Sequence, residues 1–250
     1  MKDLVYYTIG FSASYIRLIK LSIDTLRTSG WMGDVAIICD HSLVDQCKDA
    51  IGSDVIYLPV ADSGTPERAS MNKLRIFDFP EVAAYDRIMF LDGDIVVHTD
   101  VHTLFDGITR DDVLYVFTES TEHSHHMSIY WSLDAYTPEE FRYLENSSIH
   151  VFNAGTFAFM LSQQMKTHFR NILDMISTYQ GRFFYEQSFM NVYFNKINKT
   201  DRTVFTSERY TFSHGESDQT GKIVHFAGSP GNGVTKYDEM MLYINRYFTS

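Results

Sequence analysis

Only two cysteines, Cys39 and Cys47, occur in 250 residues. They are too few for a disulfide framework and lack zinc-site spacing, so the fold must rest on its core alone. No apolar run approaches the length needed to cross a bilayer. Basic residues are scarce: 21 Lys and Arg against 32 Asp and Glu leave a formal net charge of −11. With no basic patch to grip a phosphate backbone, nucleic acid is not an expected partner. No G-x-G-x-x-G follows the first hydrophobic run and no G-x-x-x-x-G-K-[ST] occurs anywhere, so any nucleotide is held by other means. Repeats and low-complexity linkers are also missing. A single domain, 1–250, is therefore expected, long enough to bury a large core. The start, Met1-Lys2-Asp3-Leu4-Val5-Tyr6-Tyr7, has the early acid and polar interruptions of a first strand rather than a signal peptide, and a cytoplasmic location is expected. Asn146-Ser147-Ser148 and Asn198-Lys199-Thr200 fit the glycosylation pattern, but such a location gives them no use.

What is present is a rhythm. Leu4–Thr8, Val35–Cys39 and Val55–Leu58 are β-branched or apolar runs, and Ser14–Thr28 and Leu43–Ile51 between them have helical patterning. This βαβαβ order predicts an α/β fold with a mostly parallel central sheet and helices on both faces. Ligands of such sheets bind beyond the carboxyl ends of the strands. Arg87-Ile88-Met89-Phe90-Leu91-Asp92-Gly93-Asp94-Ile95-Val96-Val97 places two carboxylates inside an apolar run, just where a buried strand should end. Strand alternation would point Asp92 and Asp94 the same way across Gly93, and two oxygen donors on one side suit Mg²⁺ or Mn²⁺. A tight Asp-Gly turn is the plain alternative.

Further on, Glu122-His123-Ser124-His125-His126-Met127 crowds three imidazoles without ligand spacing and is better taken as a solvated loop than as a metal site. Ile149–Leu161 predicts a strand, a turn at Asn153-Ala154-Gly155 and a second strand. Met165–Thr178 and Glu186–Asn195 predict helices, and Ile223–Phe226 a last strand. Tyr237, Met240, Met241, Ile244 and Tyr247 fall at helical spacing, so an amphipathic C-terminal helix is expected to dock on the body.

Taken together, Met71-Asn72-Lys73-Leu74, Asp92-Gly93-Asp94, Phe152-Asn153-Ala154-Gly155, Glu186-Gln187-Ser188 and His225-Phe226-Ala227-Gly228-Ser229 stand in an order and spacing that resembles the retaining glycosyltransferases of family 8. That family includes glycogenin and bacterial lipopolysaccharide galactosyltransferases. The resemblance covers most of the chain and implies a single Rossmann-like GT-A domain, with residues 1–100 as the nucleotide-binding half and 101–250 as the sugar and acceptor half. It also implies transfer of a hexose, glucose or galactose, from a UDP-sugar to a hydroxyl of a carbohydrate or glycoconjugate acceptor. Asp92, Asp94 and His225 match the family's metal ligands, and an imidazole beside two carboxylates favours Mn²⁺ over Mg²⁺.

By the same resemblance, Lys73, on a predicted helix, faces donor diphosphate or sugar. Thr8 to Tyr15 matches the nucleotide-binding loop, with Tyr15 as the aromatic that stacks on the base, and Gly228 matches a diphosphate-binding glycine. Asp92, Asn153, Ala154, Gly155, Glu186 and Gln187 match positions around the donor sugar. Gln187 corresponds to the catalytic glutamine near the anomeric carbon, whose carbonyl dipole can face positive charge developing there, and Glu186, a second catalytic candidate as a transient nucleophile, stands where the family usually has Asp, one methylene shorter. The family commonly continues H-x-x-G-x-x-K-P-W after its histidine, and the lysine grips the diphosphate. Here Gly231 occupies that position, with Lys222 and Lys236 nearby as substitutes.

Two other readings compete. One is a sugar-nucleotide or glycan-binding module that kept the fold without turnover, which the missing K-P-W favours. The other is a haloacid-dehalogenase-like phosphatase, whose D-x-D-x-[TV] nucleophile motif Asp92–Val96 mimics. That motif normally ends the first strand, whereas several strand-helix units precede it here.

Overall fold

The computed structural model describes residues 1–118, 137–139, 142, 151–178, 185–212, 217–228 and 233–248. The His-rich segment, Asn146–Ser148 and Gly231 lie outside the described residues. In chain order the strands are β1 (Asp3–Ile9), β2 (Asp34–Asp40), β3 (Ile56–Val60), β4 (Arg87–Leu91), β5 (Ile95–Val97), β6 (Leu114–Thr118), β7 (Phe152–Met160), β8 (Thr200–Asp201), β9 (Tyr210–Phe212) and β10 (Ile223–His225). The described helices that matter for the site are α1 (Ile16–Thr28), α2 (Val44–Ile51), α3 (Pro66–Met71), α4 (His102–Phe105), α5 (Gln163–Thr178), α6 (Tyr185–Ile197) and α7 (Lys236–Tyr247).

The large sheet has the order β3-β2-β1-β4-β7-β6-β8. Every neighbour pair is parallel except the two that involve β7, so β7 alone runs against the rest. Strands from both halves of the chain share this sheet. The expected α/β architecture is present, with helices on both faces. On β1, Val5, Tyr7 and Ile9 face one way, under Ile19, Ile23 and Leu26 of α1. Leu4 and Tyr6 face the other way, towards Met165, Phe169 and Ile172 of α5 and Met190 and Phe194 of α6. A strand buried on both faces needs an unbroken apolar run rather than alternation, and that is what its sequence contains.

A second, three-stranded sheet, β5-β10-β9, lies beside the first. Helix α7 closes it: Met240 and Tyr243 pack on Val96, Val224 and Phe226. The predicted C-terminal amphipathic helix is thus present, with Tyr243 added to its buried stripe. A capping box starts it, with Thr235 and Asp238 exchanging side-chain and backbone hydrogen bonds, which satisfies two N-terminal amides that would otherwise be orphaned.

Two local expectations need correction. Asn153-Ala154-Gly155 is not a turn between strands: all three residues lie inside β7. Asn-x-Gly favours turns locally, but pairing with both β4 and β6 overrides that preference. Asp92 and Asp94 are not strand residues either. Strand β4 ends at Leu91 and the Asp-Gly-Asp makes the turn that carries the chain from the large sheet to the small one, so the turn itself, not strand alternation, brings the carboxylates together. No described helix is long and apolar enough to cross a membrane.

Candidate active site

The site lies beyond the carboxyl end of β4, where three elements meet because of how their neighbours pair. Since β7 is antiparallel to β4, its first residues lie against the end of β4: Leu91 is in register with Thr156, and Asp92 N–H donates to the Gly155 carbonyl at 2.8 Å. Strand β10 pairs with β5 so that His225 stands opposite Ile95, and Phe226 N–H donates to the Asp94 carbonyl at 2.9 Å. One ligand atom each from Asp92, Asp94 and His225 therefore lie within 4.8 Å of one another.

Gly155 makes this approach possible. A Cβ there would collide with His225 Cε1 and sit 2.8 Å from Asp92 Oδ2, closer than real atoms come. Two carboxylates and an imidazole crowded around a position that tolerates no side chain are a donor set that fits a borderline divalent cation such as Mn²⁺, with Mg²⁺ served less well by the nitrogen.

The imidazole is held from behind: Tyr210 Oη is 2.6 Å from His225 Nδ1, leaving Nε2 at 3.1 Å from Asp94 Oδ1. Metal-binding histidines are commonly oriented by such a partner on the second nitrogen. The two carboxyl groups are displaced in opposite directions. Burial, with repulsion from Asp94 and Glu186, raises Asp92 against the pull of Lys73 and His225. For Asp94 burial acts upward too, but His225 and Lys236 outweigh it and hold the acid well below the usual carboxylate range. Lys236 Nζ is 2.5 Å from Asp94 Oδ2.

Lys73 lies in a 3₁₀ helix, Asn72–Asp78, and is buried rather than exposed. Its ammonium lies 2.6 Å from Glu186 Oε1, 3.2 Å from the Ala154 carbonyl and 3.3 Å from Asp92 Oδ1. Burial works against its charge, but the two carboxylates prevail and raise its pKa. Glu186 and Gln187 occupy the first turn of α6. Asn191, one turn further on, clamps this helix to β7 by accepting from Phe152 N–H and donating to the Phe152 carbonyl, both at 2.9 Å. Gln187 Oε1 then accepts from Ala154 N–H at 3.0 Å, and Asn153 Oδ1 accepts from Gly155 N–H at 2.7 Å. Both amide protons of the Ala-Gly pair are thus donated inside the protein.

These groups line one cavity of about 360 Å³. Its wall includes Thr8, Tyr15, Lys73, Asp92, Asp94, Asn153, Ala154, Gly155, Glu186 and Gln187, so most of the candidate residues share it. His225 is not among these lining residues and joins the group through Asp94, 3.1 Å from its Nε2. Gly228 does not line the cavity; its φ of 84° and the open space where a Cβ would stand make it a turn residue at the edge of the described chain.

The cavity wall also includes Phe11, which, with its partner Asp40, the sequence pattern did not single out. Phe11, 52% exposed beside Tyr15 at 50%, has a φ of 65°, a conformation costly for a bulky side chain. Buried Asp40 holds it, accepting from Phe11 N–H at 2.8 Å and from Ser63 N–H and Oγ at 3.0 and 2.6 Å. One signal was available: Asp40 ends the apolar run Val35–Cys39 as Asp92 ends its own. Phe11 carried only its place inside the Thr8–Tyr15 loop, where Tyr15 was the aromatic chosen, and Tyr210 carried none, since nothing in a sequence distinguishes it from other tyrosines.

The model of glycosyl transferase family 8 matches residues 55–231, well over half of the chain. The chain belongs to glycosyl transferase family 8. Galactinol synthase 1 of Arabidopsis thaliana is 29% identical over 180 residues, covering 63% of this chain and 46% of the relative. Galactinol synthase 2 of the same plant is 30% identical over 168 residues, covering 63% and 48%. The chain thus spans about half the length of the curated relatives it matches. Among solved structures, galactosyltransferase LgtC in complex with donor and acceptor sugar analogs superposes with a TM-score of 0.67 at 13% identity, over 99% of this chain and 97% of that one. The WbbM bifunctional glycosyltransferase gives 0.64 at 16% identity over 98% and 50%. At these identities the likeness is one of fold, the GT-A fold. Family 8 membership sets aside the phosphatase alternative, and so does the place of Asp92 after the fourth strand rather than the first.

Proposed function

We propose that this family 8 chain is a retaining glycosyltransferase that moves a hexose from a UDP-sugar to an acceptor hydroxyl, with a divalent cation, Mn²⁺ before Mg²⁺, held by Asp92, Asp94 and His225. The observation that carries the reading is that Asp92 and Asp94 of this donor set line one cavity together with Glu186, Gln187, Asn153 and two exposed aromatics, Phe11 and Tyr15. Galactose is the hexose to test first, because the curated relatives are named for galactinol. When bound, the cation would neutralise charge growing on the departing diphosphate.

The chain's own residues do the rest. Phe11 and Tyr15 receive the base, and Thr8, on the same cavity wall, meets the nucleotide or its diphosphate. Asn153 meets a sugar hydroxyl, while the Ala154-Gly155 backbone serves mainly to let strand, imidazole and carboxylate approach. The Gln187 carbonyl, oriented by Ala154 N–H, has a second lone pair to set against positive charge developing at the anomeric carbon. Glu186 is a poor nucleophile while Lys73 sits 2.6 Å from it, so we assign it to positioning Lys73 and the donor sugar. With no unpaired base among the described residues of the cavity wall, the departing phosphate oxygen takes the acceptor's proton, and substitution occurs on the same face.

The test is release of UDP from UDP-galactose and UDP-glucose with Mn²⁺ present, followed by proton NMR of the first product. An α linkage from the α-configured donor is expected. A β linkage overturns the mechanism, and saturable UDP-sugar binding without turnover would instead identify a binding module.

A further inference from the structure

Asp94 has both carboxylate oxygens engaged, Oδ1 by His225 Nε2 at 3.1 Å and Oδ2 by Lys236 Nζ at 2.5 Å. A divalent cation that uses Asp94 must share it with, or take it from, a like-charged ammonium. We propose that Lys236 is an exchangeable counter-ion: it neutralises Asp94 until a divalent cation takes that carboxylate, and then turns to the diphosphate of the donor. In this chain it does the work of the lysine that Gly231 replaces.

Three observations support this. First, the cavity needs a cation of this kind. Its described wall has carboxylates at Asp92, Asp94 and Glu186 and a single ammonium, Lys73. The three N–H donors of Lys73 are matched by Glu186, the Ala154 carbonyl and Asp92, so it has none to spare for a phosphate. Second, Lys236 is accessible where Lys73 is not: their side chains are 25% and 5% exposed. Third, its backbone is anchored. Lys236 is the first residue of α7, whose capping box fixes the helix start and whose Met240 and Tyr243 are buried in the core. Only the four-carbon stem has to swing, so the ammonium stays beside whatever anion is seated at Asp94.

This inference rests on the donor reading above, and two titrations separate the two. Mn²⁺ binding without nucleotide is measured by electron paramagnetic resonance, and UDP binding at saturating Mn²⁺ by calorimetry, for the wild-type chain, Lys236→Met, Lys236→Gln and Lys236→Arg. Removing the competitor should leave Mn²⁺ alone bound as tightly or more tightly in Lys236→Met and Lys236→Gln. UDP with Mn²⁺ should weaken about tenfold or more, the scale of one lost charge-assisted hydrogen bond. Lys236→Arg should keep most of the UDP affinity. Loss of UDP affinity without loss of Mn²⁺ affinity is the signature, since a merely structural lysine would lower both. Unchanged UDP affinity, or Mn²⁺ and UDP affinity falling together in a folded variant, overturns the proposal. A wild-type chain that binds neither Mn²⁺ nor UDP removes the donor reading and this one with it.

Discussion

Lys73 shows how much a single residue can hold here. Burying an ammonium is tolerable only when its donors are matched, and Lys73 is matched by two carboxylates and a carbonyl drawn from β4's end, α6 and β7. Breaking a buried pair from one side leaves the other charge stranded. Lys73→Met is therefore expected to cost about 3–5 kcal/mol in urea denaturation, with much of that recovered in Lys73→Met/Glu186→Gln. Equal destabilisation of the two variants would mean that Glu186 is not the partner at stake. Gly155 makes a second residue-scale case. Because a Cβ there would press on His225 and Asp92, Gly155→Ala should weaken Mn²⁺ binding about tenfold or more, on the scale of a displaced ligand or its support, in a protein that still folds. The check is a Mn²⁺ titration beside a thermal melt. At this scale Asp92, Asp94 and His225 were legible, the first two because charge inside an apolar run demands a reason. Phe11, Asp40 and Tyr210 were not marked, because their roles come from a positive φ and from contacts across 29 and 15 residues.

Among the elements, β7 is the one that local preference misjudged. Its Asn-Ala-Gly has turn chemistry, and only the ladders on both sides make it a strand. Two histidines packed at helices α7 and α5–α6 are expected to give the stability a pH dependence. His98 packs against α7, with Nδ1 3.1 Å from Tyr243 Oη and its ring stacked on Phe248. His168 of α5 contacts Tyr193 Oη of α6 at 3.0 Å, and its Nε2 has no hydrogen-bond partner among the described residues. Burial lowers both pKa values, with Asp218 opposing at His98 and Lys199 adding at His168 against Asp112. A histidine whose folded pKa is depressed supplies stability that is complete above its unfolded value, about 6.5, and is lost as pH falls through the lower folded value. Stability should thus decline from pH 7 towards pH 5, above the range where ordinary carboxylates titrate. His98→Gln/His168→Gln should flatten the decline in urea melts; an unchanged slope would place its origin elsewhere.

For the molecule as a whole, charge is the governing constraint. A chain of net charge −11 with three carboxylates on its cavity wall repels the anionic donor proposed for it unless a cation intervenes. Removing divalent ions with EDTA should therefore abolish transfer and most UDP binding. Asp94→Ala should remove nearly all transfer and weaken UDP mainly when Mn²⁺ is supplied. Full activity in EDTA would contradict the metal assignment.

The sequence by itself determined the α/β class, the parallel run β1 to β4, the docked C-terminal helix and the family, because strand burial, helix periodicity and ordered motifs are properties of neighbouring residues or of their spacing. Only the tertiary structure decided that the Asp-Gly-Asp is a turn between two sheets, that β7 runs backwards so that Gly155 meets Asp92, and that Lys236 reaches Asp94 across 142 residues. Those outcomes depend on pairing and packing between segments far apart in the chain, and no local pattern encodes which distant partner a strand or an ammonium will find.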